Sequence, residues 1–181
     1  MTATTILLVR HGETDWNLEH RVQGHSDRPL NDTGRAQARD LADQLANERI
    51  DAVYASDLMR AHDTARPVAD SHGLPVITLP QLREKNFGTW EGLTDGEIRV
   101  RFPQAADGPW GDAETTEDVS ARVLEALRDV AERHPGGQVL VVSHGGPLRA
   151  VLRSCEVADR PVLNCHVARI AVGNGLVRSV D

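Results

Sequence analysis

Two short, largely apolar runs, Thr5 to Val9 and Val139 to Val142, each break off into histidine and glycine. The first leads into Arg10, His11, Gly12 and Glu13, the second into Ser143, His144, Gly145 and Gly146. Brief apolar runs ended by glycine read as strands buried on both faces, the pattern of a parallel sheet covered by helices. In an open α/β sheet the residues leaving the carboxyl ends of the strands share one crevice, however far apart they lie in the sequence. The feature that constrains the fold therefore also marks a site, with His11 and His144 converging on it.

The intervening chain alternates in the same sense. Residues 13 to 32 are polar and turn-rich, and connections of that length inside a compact domain are usually functional, so they are expected to line the site. Asn31, Asp32 and Thr33 supply capping chemistry for a helix whose Ala38, Leu41, Ala42 and Leu45 fall on one face. Ala52 to Ala55 reads as a strand, and Ser56 or Asp57 is expected to cap a helix over 58–70, followed by a third apolar run at Val76 to Leu79. Between Leu82 and Asp118, repeated glycine and proline leave room only for a short helix near 94–101. Val119, Val123, Ala126, Leu127 and Val130 form a helical stripe before the strand at 138–142, and a helix is expected over 147–152. The runs 166–172 and 176–180, joined by Gly173, Asn174 and Gly175, predict a closing hairpin. This order predicts an α/β three-layer sandwich, a mostly parallel central sheet flanked by helices on both faces with right-handed crossovers. At 181 residues the chain is expected to form a single domain over 1–181.

A formal charge of -7 and a pI near 5.6 give no general attraction to nucleic acid or an anionic membrane, so any anion must be captured by a local cluster. Cys155 and Cys165 form no CxxC pair, which suits a reducing, cytoplasmic compartment. No basic leader with an apolar core opens the chain, and no window approaches the roughly 18 apolar residues of a membrane span. Neither export nor anchoring is expected.

An imidazole at a strand end can be nucleophile, base or donor near neutral pH, or a merely structural hydrogen-bonding group. Arg10 beside His11 could grip an anion bidentately, or form a weak surface pair with Glu13 or Asp15. Arg60 in the first turn of its helix opposes the macrodipole; Asp57 could offset this locally, or a phosphate over the helix N-terminus could do so functionally. His144 is followed by two glycines whose turn can aim backbone N–H groups at a ligand. Glu84 alone reads as solvated surface, with Phe87 and Trp90 as core. Eight histidines and 27 acidic residues could in principle supply metal ligands. No HxH or HExxH spacing occurs, however, and a guanidinium beside His11 would repel a divalent cation. His20, His25, His62, His72, His134 and His166 show no partner pattern and read as surface or structural. A phosphate-loop cysteine, a GxSxG elbow, a GxxxxGK[ST] loop and a GxGxxG fingerprint are all missing.

The block Val9, Arg10, His11, Gly12, Glu13 and Thr14, with Trp16 and Asn17, resembles the opening signature of the histidine phosphatase superfamily, the phosphoglycerate mutase-like group. Gln23 and Gly24, Leu30 with Gly34, then Ser56, Asp57, Leu58, Arg60, Ala61, Thr64 and Ala65, resemble its next motifs. Glu84 with Phe87, Gly88, Trp90, Glu91 and Gly92, and finally Ser143, His144 and Gly145, complete the order, so the resemblance spans residues 6 to about 150. It implies a phosphomonoesterase acting on a small phosphorylated metabolite without cofactor or metal. It further implies that His11 accepts the phosphoryl group, with Arg10, Arg60, His144 and Asn17 around the phosphate. Gln23, Gly24 and Gly145 would belong to the substrate-binding loops, and Glu84 would protonate the leaving oxygen. Relatives that act as cofactor-dependent mutases keep the same site behind a longer insertion after the acid motif; a non-catalytic phospho-ligand module is the other alternative. The loop at 18–29 and the segment 93–117, with Trp110, are expected to set the substrate. The only expected partner is the substrate, not nucleic acid or membrane; monomer and homodimer are equally open.

Overall fold

The computed structural model describes residues 2–104, 113–156, 161–173 and 176–180, and in it the chain forms six strands and six α-helices. They run β1 (Thr4–Arg10), α1 (Asp15–Leu18), α2 (Asp32–Leu45), β2 (Ala52–Ala55), α3 (Met59–Ser71) and β3 (Val76–Thr78). After these come α4 (Asp95–Arg101), α5 (Thr116–Arg133), β4 (Gln138–Ser143), α6 (Gly145–Ser154), β5 (Val167–Gly173) and β6 (Leu176–Ser179). The sheet order is β3-β2-β4-β1-β5-β6. β3, β2, β4 and β1 pair in parallel, and the antiparallel β5–β6 hairpin closes the β1 side.

The central strands are apolar on both faces, and alternate residues feed two separate cores. Ile6, Leu8, Val139 and Val141 pack against Val123, Leu127 and Val130 of α5 and Leu148 and Val151 of α6. Leu7, Val9, Leu140 and Val142 pack against Leu41 and Leu45 of α2 and Ala61, Ala65 and Val68 of α3. The expected three-layer sandwich is thus present, with β1 and β4 at its centre. Their register pairs Arg10 with Ser143, so both strands end at one level.

Three local details depart from the sequence reading. Residues 13–32 are not all loop: Thr14 caps α1 through a capping box closed by Asn17. Neither Ser56 nor Asp57 caps α3, whose Ncap is Leu58. The Met59 N–H is instead taken by Asp27 of the distant loop at 2.7 Å, while Asp57 turns away to Arg83. The third apolar run is a strand only as far as Thr78, and Leu79 leads into a short 3-10 turn. Trp110 and the turn residues Asn174 and Gly175 lie outside the described residues. Among the described residues no helix is long and apolar enough to cross a membrane.

The exit of β1 is held against the start of α2 by an approach that only glycine allows. A Cβ on Gly12 would lie 2.7 Å from the Gly34 carbonyl oxygen, and one on Gly34 would overlap the Glu13 carbonyl. Both obstacles are backbone, so neither can swing aside. Gly34→Ala is expected to cost about 1–3 kcal/mol in urea denaturation through overpacking. A change below about 0.5 kcal/mol would mean that this junction is looser than described.

Candidate active site

Parallel pairing of β1 and β4 delivers both histidines to one crevice. The His11 N–H donates to the Ser143 carbonyl at 3.0 Å, extending the ladder one residue past β1, and the two imidazole rings stand 5.1 Å apart at 60°. His11 is 3% exposed and His144 fully buried. His11 Nδ1 lies 2.7 Å from the Gly12 carbonyl oxygen. Because a carbonyl only accepts, the neutral ring carries its proton on Nδ1 and leaves the Nε2 lone pair free for attack. Burial, then the charges of Arg60 and Arg10, hold His11 well below the usual histidine range, against a smaller opposing pull from the Gly12 hydrogen bond. Burial and then Arg60 do the same to His144. Both rings are neutral at physiological pH.

Arg10 and Arg60 are not engaged in the local ion pairs that a plain surface reading would give them. Glu13 accepts from the Asn31 side chain, and Asp57 forms a two-pronged pair with Arg83 at 2.7 and 2.6 Å. Arg10 Nη1 donates to the Val162 carbonyl; Arg60, with no exposed surface, donates from Nη1 to Ser26 O and from Nη2 to Gly24 O. Burial pushes Arg60 down to about 10, with Glu84 the chief opposing charge, and lowers Arg10 in the same way. The Nε atoms of both guanidiniums and both ring nitrogens of His144 are buried without a hydrogen-bond partner among the described residues. Each such buried polar atom left without a partner costs about 1–3 kcal/mol, and three of the four are donors: the two Nε–H groups and the single N–H of neutral His144. Those three donors are suited to an oxyanion.

Glu84 reaches the site from the loop after Leu82. Its Oε1 accepts from the Lys85 N–H and its Oε2 from the Gly146 N–H, at 2.8 and 3.1 Å. A Cβ on Gly146 would displace the Glu84 carboxylate from its place, whereas one on Gly145 meets only ordinary contacts. The Glu84 backbone is pinned by two residues that sequence reasoning passed over. Arg122 donates to the carbonyls of Gln81, Arg83 and Glu84 at 2.7–2.9 Å while paired with Glu114, and His25 Nε2 donates to Glu84 O at 2.9 Å. Arg122 sits within the α5 sequence, where only the apolar stripe was legible, and His25 carried no spacing signal.

The loop around residue 24 serves mainly to hold Arg60. Gly24 adopts φ +52°, a left-handed backbone suited to glycine, and a Cβ there would overlap the Glu91 carboxylate. That carboxylate accepts from the N–H groups of His25, Ser26 and Phe87 and from the Ser26 hydroxyl. Thr64 ties the loop's target to the neighbour of His11, accepting from the Gly12 N–H and donating to Arg60 O. The oxygens of Asn17 and Gln23 are occupied by Thr14: Asn17 Oδ1 completes the α1 cap and Gln23 Oε1 accepts the Thr14 hydroxyl at 3.0 Å. The structure thus brings Arg10, His11, Arg60, Glu84 and His144 together and places Asn17 on α1, Gln23 and Gly24 in the loop that follows it, and Gly145 at the first position of α6. Among the described residues no group of three or more histidine, cysteine or acidic side chains could hold a metal ion.

Such a sheet with such a crevice defines an α/β enzyme-like protein built to grip a phosphate-sized anion against a neutral histidine. The family model of the histidine phosphatase superfamily (branch 1) matches residues 6–175, and the chain belongs to that superfamily. It is 40% identical over 159 residues to a metal-independent phosphoserine phosphatase of Arabidopsis thaliana, covering 82% of this chain and 67% of that one. A probable phosphoglycerate mutase of Enterobacter sp. (strain 638) is 38% identical over 179 residues, covering 91% and 83%. The solved structure of Bacillus stearothermophilus YhfR superposes with a TM-score of 0.90 at 35% identity, covering 98% of this chain and 96% of that one.

The depressed histidines have a consequence for stability. Folded, they stay neutral; unfolded, they take up protons near pH 6.5, so the unfolded state binds more protons below that pH. Stability is therefore lost as pH falls from about 6.5, by up to about 1.4 kcal/mol per pH unit for each histidine. Urea midpoints between pH 7.5 and 5.5 should fall less steeply in His144→Asn than in the wild type; identical slopes would contradict the buried neutral pair.

Proposed function

We propose that this protein is a phosphoric monoester hydrolase of the histidine acid phosphatase type, acting on a small phosphorylated metabolite through a phosphohistidine on His11. The observation that supports the reading is the Nδ1 hydrogen bond to Gly12, which leaves the Nε2 lone pair available as a nucleophile amid buried nitrogens that have no partner among the described residues. In the first half-reaction Nε2 attacks phosphorus in line as the bond to the leaving oxygen breaks. The three non-bridging oxygens rest against Arg10, Arg60 and neutral His144. Glu84, protonated, gives its proton to the departing alkoxide, a contribution of about 10² to 10⁴ in rate. In the second half Glu84 takes a proton from water, the hydroxide attacks phosphorus, the N–P bond breaks and phosphate leaves. The positive charge that a metal would otherwise supply comes from two guanidiniums, so the reaction needs none.

Two other readings make different forecasts. Mutase-type transfer, favoured by the relative named a probable phosphoglycerate mutase, would return the phosphoryl group to a second hydroxyl rather than to water. A binding module would not release nitrophenol from p-nitrophenyl phosphate at all. The two unpaired thiols, Cys155 and Cys165, fit a reducing cytoplasm, and the acidic surface fits a small-molecule partner better than a nucleic acid.

Glu84→Gln is expected to lower kcat/KM for alkyl phosphates by about 10² or more and to affect p-nitrophenyl phosphate far less, because that leaving group needs little protonation. Equal losses on both would remove Glu84 from the acid role. Excess EDTA should leave turnover intact, and its abolition would overturn the metal-independent route.

A further inference from the structure

The segment just before β5 is bonded to the two residues that lead out of β1. The Cys165 N–H donates to the Arg10 carbonyl at 2.8 Å, Arg10 Nη1 to the Val162 carbonyl at 2.7 Å, and Asn164 Nδ2 to the His11 carbonyl at 2.7 Å. Cys165 has φ +56°, a left-handed backbone that a residue other than glycine keeps only where its surroundings enforce it. Two of the three bonds hold the segment on Arg10. The third, from a side chain, reaches the backbone of His11 itself.

What Asn164 holds is the peptide unit between His11 and Gly12. The carbonyl of that unit accepts from Asn164, and its N–H donates to Thr64 Oγ1 of α3 at 2.9 Å. In the next unit the Gly12 carbonyl accepts from His11 Nδ1, and the Glu13 N–H donates to Gln37 Oε1 of α2 at 2.8 Å. Gly12 is free in φ and ψ by its own chemistry, so the direction of its carbonyl is set by these outside partners. That direction decides the state of the ring, because the Gly12 carbonyl is the group that keeps the His11 proton on Nδ1 and the lone pair on Nε2. Gln37 and Thr64 brace the two N–H sides of the turn from helices, and Asn164 braces the remaining carbonyl from the opposite end of the chain.

We propose that Asn164 is a positioning residue for His11: by fixing the His11–Gly12 peptide it aims the Gly12 carbonyl at Nδ1 and keeps the Nε2 lone pair turned to the phosphoryl group. Its bond is to backbone, not to the reacting nitrogen, so it acts through the orientation and tautomer of the ring. The kinetic consequence rests on the hydrolase reading; the tautomer does not.

Asn164→Leu removes the donor at similar size, and Asn164→Asp, which barely changes shape, carries the test if Asn164→Leu does not fold. Nitrogen NMR of histidine-labelled protein is read near neutral pH, where burial keeps His11 uncharged, with its signals assigned by their loss in His11→Ala. The wild type should show a protonated Nδ1 and a bare Nε2, and in the Asn164 variants the two shifts should move toward each other as the tautomers mix. In the same variants kcat/KM for p-nitrophenyl phosphate should fall by about ten- to a hundredfold. The inhibition constant of inorganic phosphate, whose oxygens face Arg10, Arg60 and His144, should stay within about threefold. Leu163→Ala disturbs the same segment at a side chain that is 66% exposed, and should leave the His11 shifts in place; an equal change there would assign the effect to the segment as a whole and overturn the role of Asn164. A lowered melting temperature with unmoved His11 shifts would make Asn164 merely structural and overturn the proposal, as would a loss of phosphate binding that matches the loss of turnover. Mixed tautomers in the variants, with no turnover of p-nitrophenyl phosphate even by the wild type, would support the positioning role while overturning the hydrolase reading.

Discussion

The whole arrangement depends on the parallel register of β1 on β4. Arg10 lies opposite Ser143, and the His11 N–H continues the ladder onto the Ser143 carbonyl, so two histidines more than a hundred positions apart leave the sheet at one level. A slip of one residue would turn every side chain of the slipped strand to the opposite face and carry its histidine out of the crevice. The register is fixed because both faces of β1 and β4 are buried: Ile6 and Leu8 belong to one core, Leu7 and Val9 to the other. The packing that stabilises the sheet is also what aligns the imidazoles.

Around that alignment the protein accepts an electrostatic cost. Arg60 is buried with no carboxylate in hydrogen-bonding contact among the described residues, held by two loop carbonyls and pushed down to about 10, chiefly by burial. A carboxylate pair would stabilise such a charge, but it would also occupy the nitrogens that an oxyanion requires. Neutral carbonyls from Gly24 and Ser26 orient the guanidinium and leave its Nε unpartnered. The same economy governs Glu84, positioned through backbone amides and through Arg122 on its own carbonyl, so that among the described residues no cation is hydrogen-bonded to its carboxylate. Buried donors of this kind are pre-organised for charge that develops only when substrate is present.

Much of this was legible in the sequence, for identifiable reasons. Strands apolar on both faces and helices with one apolar stripe carry strong periodic signals, and the element order followed from them. Arg10, His11, Arg60 and His144 were visible because each sits beside a glycine or at an element boundary where such a side chain is unusual, whereas Glu84 read alone as solvated surface and stood out only through its resemblance to the family's acid motif. Interactions between distant segments were not legible. Asp27 capping α3, Glu91 clamping the loop at 24–26 and Arg122 pinning Glu84 each join residues whose own neighbours give no hint of the partner. Gly145 and Gly146 looked equivalent in sequence, and only the proximity of Glu84 distinguishes them. Asn17 and Gln23 stood out, but what the fold asks of their oxygens is to cap and brace Thr14.

The central claim is a covalent bond between phosphorus and His11 Nε2. Glu84→Gln offers the cleanest trap, since p-nitrophenyl phosphate can load the enzyme without an acid while hydrolysis of the intermediate lacks its base. Rapid quenching into alkali after mixing that variant with the phosphorus-labelled substrate, followed by peptide mapping, should find an acid-labile, alkali-stable phosphoryl group on the peptide carrying His11. It should vanish when His11 is also replaced by alanine. Release of nitrophenol with no label on any peptide, or with the label on His144, would contradict the account.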